Sequence, residues 1–379
     1  MASENADIKR LYYIDWLRVL VVLTLIPFHA SLTYLRYGVV PIKAPVSGLS
    51  AFPFLIVEVP LGDFFMALLF FVSGVASRYS FKKRDAGRYI GERLQKLMLP
   101  FGLGFLFLCP VTAYIQALYE GFHGGFINFI PQFFWYDGYH YHGYMHLWFL
   151  FYLFVFSVIC APIFNRWQRN ESSIRRIGDF LSHGNRLLLP VSFIILLELC
   201  LRPVYNSNAY IIFGDWANVT VYLSLFICGY VYAADARIQG KVNDYFRPSL
   251  VFSVLSLATL YYVNINSQML YSDTAYLTLL WVLAKGFYEC SAIIFLLNFG
   301  KLHLNRKSRL LGYLNNASFT IYIFHYLPVT FFTWLFINVK IHIFGKFLLV
   351  VVLSYLTVFI ICELWQRMKL KLKQEAIKV

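Results

Sequence analysis

The sequence predicts an all-α integral membrane protein with about ten transmembrane helices. Of its 379 residues, 59% are hydrophobic and 20% are aromatic, whereas only 14% are charged. An average soluble domain carries about 25% charged residues, and the mean hydropathy of this chain is +0.61. The composition leaves too little polar surface to cover soluble cores of this size, and it also excludes a disordered chain.

Ten continuously apolar runs follow one another along the chain, and most are close to the ~20 residues that a helix needs to cross the hydrocarbon core. Because the runs are continuous rather than alternating, they favour helices over barrel strands. The fifth run is the shortest. The predicted spans are residues 11–33, 51–77, 97–118, 147–164, 187–201, 217–234, 248–264, 276–298, 315–338 and 343–366.

The distribution of basic residues predicts the orientation of these spans. The two termini and the loops 78–96, 165–186, 235–247 and 299–309 hold 27 of the 33 Lys and Arg residues, and the alternate loops hold five. Cytoplasmic loops carry the excess of positive charge in membrane proteins. We therefore expect both termini in the cytoplasm and a multi-pass protein of the cell (inner, cytoplasmic) membrane.

The net charge of +14 reflects this same distribution of basic residues. The positive charge is a topology signal and also attracts the anionic lipid of the bilayer. Nucleic-acid binding would need the charge gathered on one folded face. The six cysteines lie in or at the ends of spans without C-x-x-C spacing, so no metal site is expected. Residues 1–379 are predicted to form a single polytopic membrane domain with no appended soluble domain.

Ionisable residues inside spans are costly and therefore mark candidate sites. The first span, in DWLRVLVVLTLIPFHA, contains Arg18 and His29. Their spacing of eleven residues is about three helical turns, so the two lie on nearly one face, about 16 Å apart along the axis. Arg18 alone favours simple snorkelling toward the cytoplasm, but the pair on one face favours a functional role.

The second and third spans add further candidates. Asp63, in GDFFMALLFFVSG, lies near the expected depth of His29, where it either orients the imidazole or caps its helix. Arg88, Arg93 and Lys96 cluster at the cytoplasmic entry of the span that contains Pro100. They are either positive-inside anchors or a phosphate-binding group.

Later spans contribute five more ionisable positions. His146 opens HLWFLFYL after an aromatic-rich outer loop and is the loop histidine expected to face the bundle. Glu198 lies near the outer end of the fifth span, and Lys285 with Glu289 forms an i,i+4 pair that can neutralise itself. His325, in SFTIYIFHYLP, is a lone buried histidine; a structural role is favoured, and a catalytic role is the alternative.

Five stretches together carry a resemblance: YIDWLRVLVVLTLIPFH, FFMALLFFVSG, the basic pair before Pro100, HLWFLFYL and NNASFTIYIFH. Their order resembles the membrane-bound acyltransferase family 3, which includes polysaccharide O-acetyltransferases and glucan-succinylating membrane proteins. The wording of the first two stretches resembles the glucan-modifying branch more closely. The resemblance covers essentially the whole chain.

That resemblance implies transfer of an acyl group from a cytoplasmic acyl-CoA, acetyl-CoA or succinyl-CoA, to a hydroxyl of an extracytoplasmic glycan or related acceptor. Arg18 and His29 match the Arg-x10-His motif of the family, and Arg93 and Lys96 match its Arg-x-x-Arg motif with Lys in the second place. Arg18, Arg93 and Lys96, with Arg88 beside them, would hold the CoA phosphates. His29 would act as general base or as nucleophile.

Two other classes remain open at this stage. A transporter or flippase of glycan precursors would also have many helices and buried charges, but it should show inverted repeats, and no clear pair is visible. A non-catalytic membrane partner of a glycan-synthesis complex would not need Arg18 and His29 on one face. The sequence leaves the oligomeric state open, a homo-oligomer included.

Overall fold

The structure, a computed structural model, describes residues 10–136, 143–205, 214–270 and 275–378. All regular secondary structure in these residues is helical. Eight helical segments are long and apolar enough to span a membrane. They are Tyr12–Leu32, Gly48–Phe81, Ala86–Tyr119, Met145–Arg169, Trp216–Ala234, Phe246–Ser267, Ala275–His303 and Ile343–Lys371.

Two further apolar elements complete the bundle. Arg309–Phe324 and Tyr326–Phe336 qualify as a span together but are bent by 55° at their junction. Leu188–Leu201 is an apolar helix of 14 residues. Each of the ten predicted runs therefore corresponds to a helix or a bent helix pair, and the chain is a multi-pass membrane protein. Short helices at Phe126–Pro131, Glu171–Ser182 and Ala236–Asp244 lie between the spans.

The bend in the ninth span has an identifiable cause. Pro328 lies in the second half of the pair and is buried. A proline inside a helix has no N–H to donate, and its ring clashes with the carbonyl of the residue four positions earlier, which is Phe324 here. The break after Phe324 is thus encoded locally, and His325 lies at the junction of the two halves.

Two other prolines inside helices are compensated by tyrosine hydroxyls. Pro27 leaves the carbonyl of Leu23 without its usual helical donor, and the hydroxyl of Tyr355 donates to that oxygen at 2.7 Å. Pro60 does the same to the carbonyl of Ile56, which accepts from the Tyr261 hydroxyl at 3.3 Å. Backbone carbonyls inside a membrane need such replacement donors because no water is available there.

Glycines allow a close helix crossing in the bundle. Gly74 on the Phe65–Phe81 helix and Gly229 on the Trp216–Ala234 helix face each other's backbones. A Cβ at Gly74 would overlap the carbonyl oxygen of Phe226, and one at Gly229 would overlap the carbonyl oxygen of Phe71. Small residues at such crossings are typical of membrane helices, whose association depends on close packing.

The loops rich in basic residues contact one another at one end of the bundle. Arg78 bonds to Gln168, Arg237 to Asp179, and Lys301 lies 3.3 Å from Asn243 Oδ1. These pairs join the 78–96, 165–186, 235–247 and 299–309 loops in a chain.

The loops poor in basic residues also contact each other. The hydroxyl of Tyr119 donates to the carbonyl of Lys43 at 2.7 Å, and Arg36 donates to the carbonyl of Ser267 at 3.3 Å. The basic and the basic-poor loops therefore form separate groups, as the positive-inside pattern requires.

Candidate active site

A cavity of about 480 Å³ lies near the basic-poor end of the bundle. Its wall combines aromatic and aliphatic side chains with histidines, two carboxylates, amides and hydroxyls, a composition typical of small-molecule sites. The lining residues are Leu25, Phe28, His29, Leu32, Tyr37, Gly38, Val39, Glu58, Gly62, Asp63, Phe65, Met66, His146, Trp148, Asn218, Tyr222, Val263, Asn264, Ser267, Leu277, Thr278, Trp281, Tyr322, His325 and Tyr326.

Three histidines from three separate spans meet at this cavity. The ring centroids of His29 and His325 are 5.2 Å apart, and those of His146 and His325 are 4.8 Å apart. The ring of Tyr326 packs against the other two histidines, with its centroid 4.8 Å from that of His29 and 5.1 Å from that of His146. The lone position of His325 in the sequence favoured a structural role, but the fold brings it next to His29.

Backbone carbonyls fix the tautomers of two of these rings. Nδ1 of His325 lies 2.8 Å from the carbonyl oxygen of Tyr322, and Nε2 of His146 lies 3.0 Å from that of Ile323. A carbonyl only accepts, so each of these nitrogens carries the proton. In the neutral ring the opposite nitrogen is then an acceptor.

These opposite nitrogens are available for chemistry. Within the described part of the chain, Nε2 of His325, Nδ1 of His146 and Nδ1 of His29 have no hydrogen-bond partner. A ring held by one nitrogen with the other left open is the arrangement that general-base catalysis uses. No group of His, Cys, Asp and Glu side chains in the described ranges has the geometry of a metal site.

The backbone of His146, like its ring, accepts or donates a specific hydrogen bond. The hydroxyl of Tyr322 donates to the carbonyl of His146 at 2.5 Å. Met145, directly before it, adopts a φ of 46°, which is uncommon for a residue other than glycine. Such conformations persist only where the surroundings impose them, and they cluster at functional sites.

Arg18 and His29 both face the Arg309–Phe324 helix and its junction. Arg18 bonds to Asn315 and, at 3.2 Å, to Asp15, whereas His29 packs on His325. The partners lie ten residues apart and in the same order, so the two helices run parallel. Parallel packing agrees with their positions as the first and ninth spans. The predicted shared face of Arg18 and His29 is thus present.

Asp63 lines the cavity together with His29. No hydrogen bond or ion pair joins the two side chains in the described structure, so they share a cavity without contact. Glu58, which sequence analysis did not single out, also lines the cavity and accepts from the Tyr37 hydroxyl at 2.7 Å. Burial raises the pKa of Tyr37 well above its ordinary value, with Glu58 contributing, so the phenol remains a donor.

Lys43 fixes the segment that follows the first helix. Its Nζ donates to three backbone carbonyls at distances of 2.6–2.9 Å, those of Leu32, Leu35 and Tyr37. Burial lowers the pKa of Lys43 to about 8, an effect that Glu58 partly opposes. This clamp holds Tyr37 at the cavity wall.

The predicted phosphate-binding residues divide into two groups. Arg88 and Lys96 are exposed, with 75% and 68% of their side chains accessible, and both face Glu92 at 4.0 Å and 2.9 Å. Arg93, in contrast, is half-buried. Its guanidinium lies 3.3 Å from the Ser77 hydroxyl and 5.0 Å from the centre of the Tyr89 ring. No described contact joins any of them to Arg18.

Behind the cavity lies a buried ionic network that sequence analysis recognised only in part. Lys285 pairs with Glu289 at 2.5 Å, as the i,i+4 spacing suggested, but also with Glu198 at 2.7 Å. Arg202 joins Glu198 to Asp215 at 2.9 Å and 3.0 Å. All five side chains are at most 6% exposed.

This network ends at the cavity wall. Arg202 donates to the amide oxygen of Asn218 at 2.8 Å, and the amide nitrogen of Asn218 donates to Asp215 at 2.7 Å. Asn218 therefore faces the cavity with its amide orientation fixed. Arg202 and Asp215 lie in a loop by sequence, so only their burial in the fold reveals them.

Comparison with known proteins places this architecture in a family. The acyltransferase 3 family model, described as an acyltransferase domain, matches residues 11–363. Two relatives named glucans biosynthesis protein C, from Escherichia coli O81 (strain ED1a) and Escherichia coli O6:K15:H31 (strain 536 / UPEC), are each 25% identical over 343 residues. The alignments cover 86% of this chain and 83% of each relative. No solved structure matches the chain.

Proposed function

This chain belongs to the acyltransferase 3 family and is a membrane acyltransferase, and we propose that it moves an acyl group from a cytoplasmic acyl-CoA to a hydroxyl of an extracytoplasmic glycan or related acceptor. Two relatives carry a name that refers to glucans, which supports a glycan as acceptor. The family match also favours an acyltransferase over the transporter that the sequence alone left open.

The observation that carries this proposal is the meeting of His29, His146 and His325 at one cavity. All three rings present a nitrogen without a described partner. The cavity is near the basic-poor end, where an external acceptor would enter. Arg18, on the same face as His29 and about 16 Å away along the helix, would face the donor side.

In the first form of the reaction, His29 is the general base. Its imidazole takes the proton of the acceptor hydroxyl, and the oxygen attacks the thioester carbonyl. The C–S bond breaks, an ester forms, and the imidazolium returns its proton to the CoA thiolate. His325 stands 5.2 Å away, centroid to centroid, with Nε2 open, so it can receive or relay the same proton.

In the second form, His29 is the nucleophile. Its ring nitrogen attacks the thioester and releases CoA thiolate, and the acceptor oxygen then displaces the acyl group from the imidazole, with a neighbouring ring taking the hydroxyl proton. The two forms differ in one measurement. Incubation with acyl-CoA and no acceptor leaves an acylated protein only in the second.

The donor phosphates would bind at the basic end, through Arg18, Arg93, Lys96 and Arg88. Guanidinium groups suit phosphate because of their charge and their fork of donors. An extended pantetheine arm is comparable in length to the axial distance from Arg18 to His29, so the thioester could reach the histidines while the nucleotide stays at the cytoplasmic face. No metal takes part in this proposal.

A direct test uses the purified full chain in detergent. Free thiol released from acetyl-CoA and ester formed on cell-envelope glycan would be measured together. His29→Ala should lose about 10²–10⁴-fold of the transfer rate, because a general base contributes that much. His303→Ala, an exposed histidine at the basic end, is the matched control and should keep full activity. A well-folded His29→Ala protein with a near wild-type rate would show that the chemistry lies elsewhere.

A further inference from the structure

A second cavity, of about 300 Å³, lies at the basic end of the bundle. It is bounded by the ends of the fifth, sixth and eighth spans that adjoin the basic loops, through residues such as Val191, Val231 and Leu297. No charged side chain of the described residues lines this cavity. Tyr232 lines it as well, but its hydroxyl is bonded to that of Tyr13 at 2.8 Å. We call this cavity the apolar slot.

Two short helices between the spans also line the apolar slot. Glu171–Ser182 contributes Ile177, and Ala236–Asp244 contributes Ile238 and Val242. The charged side chains of the first of these helices are exposed. A helix with one apolar and one charged face lies at the boundary between bilayer and water. The slot is therefore at the depth where the acyl chains of one leaflet begin.

Basic residues lie at the rim of the slot. Arg186 directly precedes Leu187, and Lys241 directly precedes Val242; Leu187 and Val242 both line the slot. Arg186 is exposed, and its guanidinium lies 4.8 Å from the centre of the Phe180 ring. Two cations thus flank the slot at the boundary between bilayer and water.

A hydrogen bond brings these two cations to the same edge. The hydroxyl of Tyr245 donates to Oδ1 of Asn185 at 3.2 Å, which joins the neighbour of Arg186 to the end of the helix that carries Lys241. Nζ of Lys241 lies 5.9 Å from the centre of the Tyr245 ring and pairs with Asp244 at 2.9 Å. Within the described ranges no carboxylate pairs with Arg186. The rim therefore keeps an excess of positive charge.

The volume of the slot suits a hydrocarbon chain. An apolar cavity of about 150 Å³ takes up benzene rather than water. About 300 Å³ therefore fits a segment of about ten carbons. In a bilayer, chains of this kind at this depth belong to lipids, and basic pockets between spans on the cytoplasmic side recognise anionic head groups.

We propose that the apolar slot holds one acyl chain of an anionic phospholipid from the leaflet at the basic end, with the head-group phosphate at Arg186 and Lys241. The slot shares no lining residue with the histidine cavity. The inference does not depend on acyl transfer, since lipid binding is measured without turnover.

Native mass spectrometry of the purified, delipidated full chain tests this site. The protein would be titrated with dioleoyl phosphatidylglycerol or with dioleoyl phosphatidylcholine, which have identical chains and differ in net charge. We expect the first phosphatidylglycerol to bind with an apparent Kd at least about fivefold lower, because one cation at the membrane surface contributes about that factor.

Two variants separate the head group from the chain. Arg186→Gln should weaken phosphatidylglycerol binding about fivefold and leave phosphatidylcholine unchanged. Arg309→Gln, an exposed arginine elsewhere at the basic end, is its control. Val191→Phe fills the slot and should abolish the tight binding of the first lipid. Val254→Phe, the same change at a side chain that is 56% exposed on the Phe246–Leu270 helix, should bind lipid as the wild type does.

Equal affinity of the wild type for the two lipids would overturn the inference. So would an unchanged phosphatidylglycerol Kd in a folded Val191→Phe protein, or equal losses in Arg186→Gln and Arg309→Gln, which would indicate attraction by the whole basic surface. Thermal unfolding in detergent checks that each variant is folded. If Val191→Phe did not fold, the exposed Arg186→Gln would still decide the question.

Discussion

The orientation of single side chains explains which candidate residues can act together. His325 and His146 are each held through one ring nitrogen by a carbonyl of the Tyr322–Ile323 segment. This leaves the other nitrogen of each ring without a hydrogen-bond partner in the described structure. One short piece of chain therefore orients two of the three histidines, and the third comes from the first helix.

At the basic end of the bundle, the different environments of the four proposed phosphate-binding residues give a prediction for Arg93. Because its guanidinium is half-buried and lies near Ser77 and Tyr89, we expect it to be the preorganised phosphate ligand of the proposed group. Arg93→Ala should raise the apparent KM for acyl-CoA with little change in kcat. A charge-assisted hydrogen bond is worth about 1.5–3 kcal/mol, which is about 10–150-fold.

The controls for that prediction come from the same end of the molecule. Lys96→Arg should be tolerated, since it keeps the charge and restores a fork. Lys301→Ala, a basic residue outside the cluster, should leave the donor KM unchanged. Steady-state kinetics with varied acyl-CoA measures all three. Unchanged donor affinity in a folded Arg93→Ala protein would refute the phosphate assignment.

Sequence reasoning reached some of these residues and not others for physical reasons. The helical period alone places Arg18 and His29 on one face, because that relation is local. The partnership of His29 with His325 depends on how distant spans pack, which no local pattern encodes. Arg202 reads as one more basic loop residue, yet it is 3% exposed and holds Glu198 and Asp215.

At the scale of the helix, Pro328 is the feature that shapes the site. The bend that it causes places His325 at the junction of Arg309–Phe324 and Tyr326–Phe336. Pro328→Ala would restore a donor to the carbonyl of Phe324 and straighten the span. We expect transfer activity to fall by about 10²-fold, the loss typical of a catalytic group misplaced by ~1 Å, with thermal stability maintained.

A second proline controls for the effect of the substitution itself. Pro162 lies inside the Trp148–Arg169 helix on an exposed face, away from the cavity. Pro162→Ala should leave activity unchanged in the same assay. Equal activity of the two variants would mean that the bend is not needed to position His325.

The crossing of Gly74 and Gly229 gives a prediction about stability. A methyl group at Gly229 would overlap the carbonyl of Phe71, so Gly229→Ala must push the two helices apart. Overpacking of this kind costs about 1–3 kcal/mol of the free energy of unfolding. Thermal unfolding in detergent should therefore show a lowered midpoint.

Gly102→Ala is the matched comparison, because Gly102 is helical and nothing lies near its added Cβ. Its midpoint should be unchanged or slightly raised, since alanine favours the helix by about 1 kcal/mol over glycine. If both substitutions lowered the midpoint equally, the close crossing would not be their cause.

Element boundaries illustrate how far sequence patterns extend. Each of the ten apolar runs coincides with a helix or a bent helix pair, and in the described structure eight helices are long and apolar enough to span a membrane, or nine with the bent pair. The runs are visible in the sequence because crossing a bilayer demands ~20 apolar residues in one run. Apolar length does not reveal that the 315–338 run is two helices bent by 55°, since both halves are apolar. The proline was visible in the sequence, but its consequence for His325 required the structure.

For the whole molecule, the grouping of loops at two ends predicts the topology. The basic loops contact one another and the basic-poor loops do likewise. A reporter fused after residue 379 or within 166–186 should therefore read cytoplasmic, and one within 119–146 should read external. An external C-terminus would reverse the direction of acyl transfer and contradict the account.

The central claim is that the histidine cavity transfers an acyl group onto an envelope glycan, and mass spectrometry of those glycans tests it most directly. Cells lacking the gene would be complemented with the wild type or with His29→Ala at matched membrane levels. The account predicts an ester-linked acyl group that the wild type restores and His29→Ala does not. Glycans acylated equally by both, or unchanged by the wild type, would contradict it.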